Sequence, residues 1–130
     1  MAFDAEKIAA QWRKLGETKW RTAKGLFTLG HRADALFFCH LSMECKLKEM
    51  VTKKTNDPPP YTHDLLKLAR MMQLEISEER RRQFDEMSTF NIRARYDDIK
   101  LAFHKKATKA YTEKYMRITE SLLTWLSSKN

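Results

Sequence analysis

The chain has 130 residues, 42% of them hydrophobic, with three tryptophans. That is enough apolar material for one self-supporting domain and excludes a disordered chain. Lys and Arg total 25 against 17 Asp and Glu, a formal charge of +8 and a pI near 9.6, which favours polyanions or an acidic protein as partners without specifying a fold.

The 3 Gly are scattered and the 3 Pro sit together at Pro58-Pro59-Pro60, leaving long uninterrupted windows that favour helices. The first helix is expected from Asp4 as N-cap, with Phe3 and Ile8 spaced as a hydrophobic staple. Its apolar stripe runs Ile8, Trp12, Leu15, Ala23 and Leu26, widened by Trp20 and Phe27, and Gly30 suits the residue just past its end. A second helix follows over about His31 to Lys53, with Ala33, Leu36, Phe37, Leu47 and Val51 on one face. Glu44 falls in the middle of that face, with His40 close beside it. A carboxylate there is costly unless paired, which makes Arg95 or Arg93 its expected partner and Glu44–Arg95 the expected structural ion pair. Cys39 and Cys45 lie six residues apart on the same helix, about 9 Å by rise, too far for a disulfide; no Cys/His spacing suits zinc, so free thiols and no metal are expected.

A proline-rich loop spans 54–62, after which Thr62 is the expected N-cap of a short third helix. Ser77, followed by Glu78 and Glu79, opens a fourth helix whose Phe84, Met87 and Phe90 face the core. The segment 91–104 is expected to be irregular. It contains Arg93-Ala94-Arg95-Tyr96-Asp97-Asp98, two guanidinium forks beside an aromatic ring and two carboxylates, which suits either anion recognition or the clamping of a buried acid. A last helix runs from about Lys105 to Ser127 with Ala107, Tyr111, Tyr115, Ile118, Leu122 and Trp125 on one face. No alternating strand pattern is present. The expected fold is all-α, an antiparallel up-and-down bundle of about four to five helices forming a single domain. With no leader-like or membrane-length apolar run, the chain is expected in the cytoplasm, away from membranes.

Four segments taken in order resemble the HEPN family, small all-helical domains. They are Trp12 with Ala23-x-x-Leu26; Glu44-x-x-Leu47-Lys48, similar to an E-x-x-L-K signature; Thr62-His63-Asp64-Leu65-x-x-Leu68, similar to T-H-x-L-x-x-L; and Ala94-Arg95-Tyr96, similar to A-R-Y. Asp97 stands where many relatives have proline, and Lys19 where an acid is usual. Ribonuclease members carry an Arg followed four to six residues later by His. After Arg93 and Arg95 those windows hold no histidine, and His104 comes too late. The resemblance therefore implies a non-enzymatic accessory protein that binds nucleotide or substrate beside a minimal nucleotidyltransferase, as in toxin–antitoxin-like pairs, with no cofactor and with homodimerisation expected. Nucleotide or RNA is the implied ligand.

The residues expected to hold the ligand are Lys48, Arg93, Arg95 and Tyr96, the cations on phosphate and the ring on a base. One alternative is a noncanonical ribonuclease, toxin-like, with Arg95 and His104 as catalytic pair at a dimer interface. Another is a purely structural interaction module. His63 is read as a residue that packs or satisfies backbone at a helix start, and the Glu78-to-Arg82 run as a solvated helix face.

Overall fold

A computed structural model describes residues 2–129, the side chains of Asp97 and Asp98 excepted, so these two acids of the arginine-rich segment lie outside the described residues. Among the described residues six helices follow one another: α1 (Ala5–Thr28), α2 (Arg32–Thr55), α3 (Leu65–Met71), α4 (Glu78–Arg93), α5 (Asp97–Lys106) and α6 (Lys109–Lys129). They form an antiparallel helical bundle, with no strand among the described residues.

Helix α1 starts where its cap residue dictates. Asp4 accepts a hydrogen bond from the backbone N–H of Lys7 at 3.1 Å. It ends at Gly30, whose φ of +86° lets the N–H groups of Gly30 and His31 turn back to the carbonyls of Phe27 and Leu26. The buried seam of α1 differs from the expected stripe: it is Ala9, Gly16 and Ala23, seven residues apart, while Leu15 is exposed. Small residues win because α1 lies very close to α2. A methyl group on Gly16 would come within 3.1 Å of Cys45 Cβ.

Helix α2 is the central strut and packs against all five other helices. That explains why one face fails to describe it: Ala35, Leu36, Cys39, His40, Met43, Leu47, Met50 and Val51 are all buried. It ends at Asn56 in the left-handed region, φ 57°.

Three boundaries differ from those the sequence suggests. Asp64, not Thr62, caps α3, accepting from the Lys67 N–H, while Thr62 accepts from the Asp64 N–H and so shapes the approach. The segment 91–104 is largely helical instead of irregular, since α4 extends to Arg93 and α5 begins at Asp97, leaving only 94–96 between them. Phe103 explains this. It is buried against Phe90, with ring centroids 5.6 Å apart, and anchors α5 to the core. Ser77 caps α4 as expected, and Phe84, Met87 and Phe90 fill the core. Lys105 and Lys106 belong to α5, so α6 starts later. Its buried line is Thr112, Tyr115, Thr119, Leu122 and Leu126, with Tyr111, Ile118 and Trp125 packed at its flanks. The three threonines of α2 and α6 on this core, Thr52, Thr112 and Thr119, bury their hydroxyls by donating to the carbonyl one turn back.

Candidate functional site

The buried carboxylate of Glu44 organises one end of the bundle. Lys48, one turn further along α2, donates to Oε2 at 3.0 Å, and His63 donates from Nδ1 to Oε1 at 2.7 Å. This corrects the expected Glu44–Arg95 ion pair: both carboxylate oxygens are taken, by a partner on the same helix and one from the loop before α3. Lys48 is 4% exposed. Its ammonium lies 5.2 Å from the Trp12 ring and 5.8 Å from the Tyr61 ring, so it neutralises an internal acid and does not meet solvent phosphate. The expectation of Lys48 as a ligand contact is corrected on that ground.

His40 completes the cluster. Its Nε2 donates to the carbonyl oxygen of His63 at 2.9 Å, and its Nδ1 has no hydrogen-bond partner. Burial pushes its pKa below the usual histidine value, against the smaller opposing pulls of the His63 carbonyl and Glu44. It is therefore a neutral strut, and its 3.9 Å approach to Glu44 is not an ion pair. His63 is thus fixed twice, through its carbonyl and through its ring.

The outer side of His63 lines a groove of about 510 Å³ between the start of α3 and the end of α4. Asp64, Ser88, Thr89, Asn91, Ile92, Arg95 and Tyr96 complete the lining. Ser88 fastens the walls together, its Oγ accepting from the first N–H of α3 at Leu65. Asn91 is 3% exposed, and its Oδ1 has no partner. Arg95 is exposed and Tyr96 is 53% exposed, both carried on the short connection between α4 and α5. Of the four expected ligand contacts, the groove brings Arg95 and Tyr96 together.

Arg93 points to different work. It approaches Glu86 at 3.8 Å without a hydrogen bond, whereas Lys106 donates to that carboxylate at 2.9 Å and the Tyr111 hydroxyl donates as well. Burial alone would raise the Glu86 pKa, yet these donors outweigh it and hold the carboxyl below its usual value. Lys106 and Tyr111 tie α4 to α5 and α6 through Glu86, while Arg93 makes no hydrogen bond to that carboxylate, its Nη1 is buried without a hydrogen-bond partner, and it is not among the residues lining the groove. His104, the alternative catalytic residue, is exposed on the last turn of α5 and is not among the groove's lining residues. Arg81 pairs with Glu78 and Asp85 along the exposed side of α4, and Arg80 stacks on Trp125 at 4.1 Å. Among the described residues, no group of three His, Cys, Asp or Glu side chains could hold a metal ion. Cys39 and Cys45 are free, and burial pushes the Cys39 thiol up to about 12, so it is an inert core residue.

The sequence matches the HEPN domain over residues 9–129. The chain belongs to the HEPN domain family. The fold is similar to that in the crystal structure of TT1696 from Thermus thermophilus, with a TM-score of 0.78 at 20% identity, covering 94% of this chain and 98% of that one. No curated protein matches the sequence. Among the described residues, no helix of this HEPN domain is long and apolar enough to cross a membrane.

Two of the segments that carried the resemblance are one physical object in this HEPN domain. Glu44-x-x-Leu47-Lys48 supplies the buried ion pair, and the histidine of Thr62-His63 docks on it from across the loop. Sequence reasoning missed His63 as a groove residue. The available signal was the i,i+4 spacing of Glu44 and Lys48, which satisfies one oxygen locally and leaves the other open to a donor from elsewhere in the chain.

Proposed function

We propose that this HEPN domain is a non-enzymatic accessory protein that holds a nucleotide, or another phosphate-bearing substrate, in the α3–α4 groove. The observation that carries the reading is the meeting of Arg95, Tyr96 and His63 on one concave surface, while Lys48 is buried on Glu44. Arginine offers a fork for phosphate oxygens, tyrosine a face for a base, and the net charge of +8 draws anions toward the surface. Work beside a nucleotidyltransferase and as a homodimer follows from the family resemblance, and work in the cytoplasm from the sequence's lack of a leader-like or membrane-length apolar run; both belong to the same proposal.

Titration calorimetry of the full chain with ATP and AMP tests it. Binding that weakens at least tenfold in Arg95→Ala supports the groove, and no heat with either nucleotide refutes it. The ribonuclease alternative needs Arg95 and His104 to act together. Incubation with single-stranded RNA separates the readings, because cleavage lost in His104→Ala would refute the accessory role.

A further inference from the structure

His63 reaches the groove in a defined hydrogen-bonding state. Its carbonyl is held by His40 at 2.9 Å and its Nδ1 donates to Glu44 at 2.7 Å. A neutral imidazole whose one proton sits on Nδ1 has a lone pair at Nε2. Nε2 has no hydrogen bond among the described residues, and the ring lines the groove alongside Arg95. The charged and titratable groups around it are Glu44, Lys48 and His40 on α2, Tyr61 at a ring distance of 5.6 Å, Asp64 at the start of α3, and Arg95. Asp64 is committed to capping, its Oδ1 accepting from the Lys67 N–H.

Two kinds of phosphate meet this arrangement differently. Every oxygen of a phosphodiester is an acceptor at neutral pH, so it faces the Nε2 lone pair with a lone pair of its own. A phosphate monoester carries a second ionisation near 6 and can bring its own proton. Either its P–O–H donates to Nε2, or the proton moves to the ring and N–H donates back to the dianion; the proton count is the same and no other bond changes. Glu44 favours the second form by accepting from the opposite nitrogen, while Lys48 donates to its other oxygen. Arg95 can take two further phosphate oxygens in its fork.

We infer that His63 makes the groove selective for a terminal phosphate monoester over a phosphodiester, an inference that rests on the phosphate-binding reading above. Calorimetry at pH 6, where about half of the monoester still carries that proton, on the full chain with AMP, 3′,5′-cyclic AMP and adenosine tests it. These share the base and the 2′-hydroxyl and differ at the phosphate. AMP is expected to bind at least tenfold more tightly than cyclic AMP, with adenosine weaker than AMP. In His63→Leu the two nucleotides should come within threefold of each other through loss of AMP affinity. If that variant does not fold, His63→Gln, which can keep a bond to Glu44, should show the same levelling. Arg95→Ala should weaken both nucleotides and leave the preference in place. Equal binding of AMP and cyclic AMP by the unaltered chain would overturn the selectivity while leaving phosphate binding intact. A preference that survives both His63 variants, or adenosine as tight as AMP, would overturn the role of His63. Binding of none of the three would refute the phosphate-binding reading itself, and the selectivity with it.

Discussion

Replacing Lys48 with methionine isolates the energetics of the buried cluster. Methionine keeps an apolar stem beside Trp12 while removing the ammonium, so packing is largely preserved. At the 3.0 Å separation of Lys48 Nζ from Glu44 Oε2, the attraction is about 5.5 kcal/mol at an effective dielectric near 20. Desolvation of two nearly buried side chains, 5% and 9% exposed, offsets much of that when the pair forms. Breaking the pair from one side is different, because it strands Glu44 with His63 as its remaining close partner. Lys48→Met should therefore cost roughly 3–5 kcal/mol. The double variant Glu44→Gln, Lys48→Met removes both charges and should recover most of the loss. Arg95→Ala, on an exposed residue away from this acid, should fall within about 0.5 kcal/mol of the unaltered protein. Urea denaturation followed by tryptophan fluorescence reads all three. A Lys48→Met cost under about 1 kcal/mol, or a cost of 3–5 kcal/mol at Arg95 instead, would refute this account of how Glu44 is held.

The remaining predictions concern the packing around that cluster. His40 is kept neutral by burial in the folded protein, while the unfolded chain takes up a proton below its ordinary value of about 6.5, so the unfolded state binds more protons there. Stability should hold above pH 6.5 and fall as pH drops through 6 to 5, and His40→Gln should flatten that fall; an equal slope in both proteins would contradict it. Gly16→Val places a branched side chain where even a Cβ meets Cys45 at 3.1 Å, and should cost about 1–3 kcal/mol in the same urea assay. Tyr111→Phe deletes the hydroxyl donor to Glu86 that helps tie α6 to α4, for a loss of about 1 kcal/mol; no change in midpoint would mean the bond contributes nothing net.

How much of this is legible in the sequence follows from which forces act locally. Asp4, Ser77 and Gly30 set helix ends through their own side chains and backbone, so those ends can be read directly. The arginine-rich segment reads as irregular because helix α5 depends on Phe103 reaching Phe90 on another element, a contact no local pattern announces. The seam of α1 escapes a sequence reading for a related reason. Hydrophobic periodicity finds the largest apolar side chains, whereas close helix approach selects the smallest, Ala9, Gly16 and Ala23.

The site shows the same division more sharply. That Glu44 needs a partner can be deduced from burial on α2 alone; which residue answers depends on the path of the 54–62 loop, which returns His63 to α2. Assigning an arginine to Glu44 would have used up a free guanidinium. Because Lys48 and His63 satisfy the acid instead, Arg95 is left at the groove, and the histidine that relieves it is delivered to the same surface. The correction to the ion pair thus strengthens the case for anion binding. The groove gains a cation that internal pairing would have removed, and an imidazole whose orientation is fixed from behind.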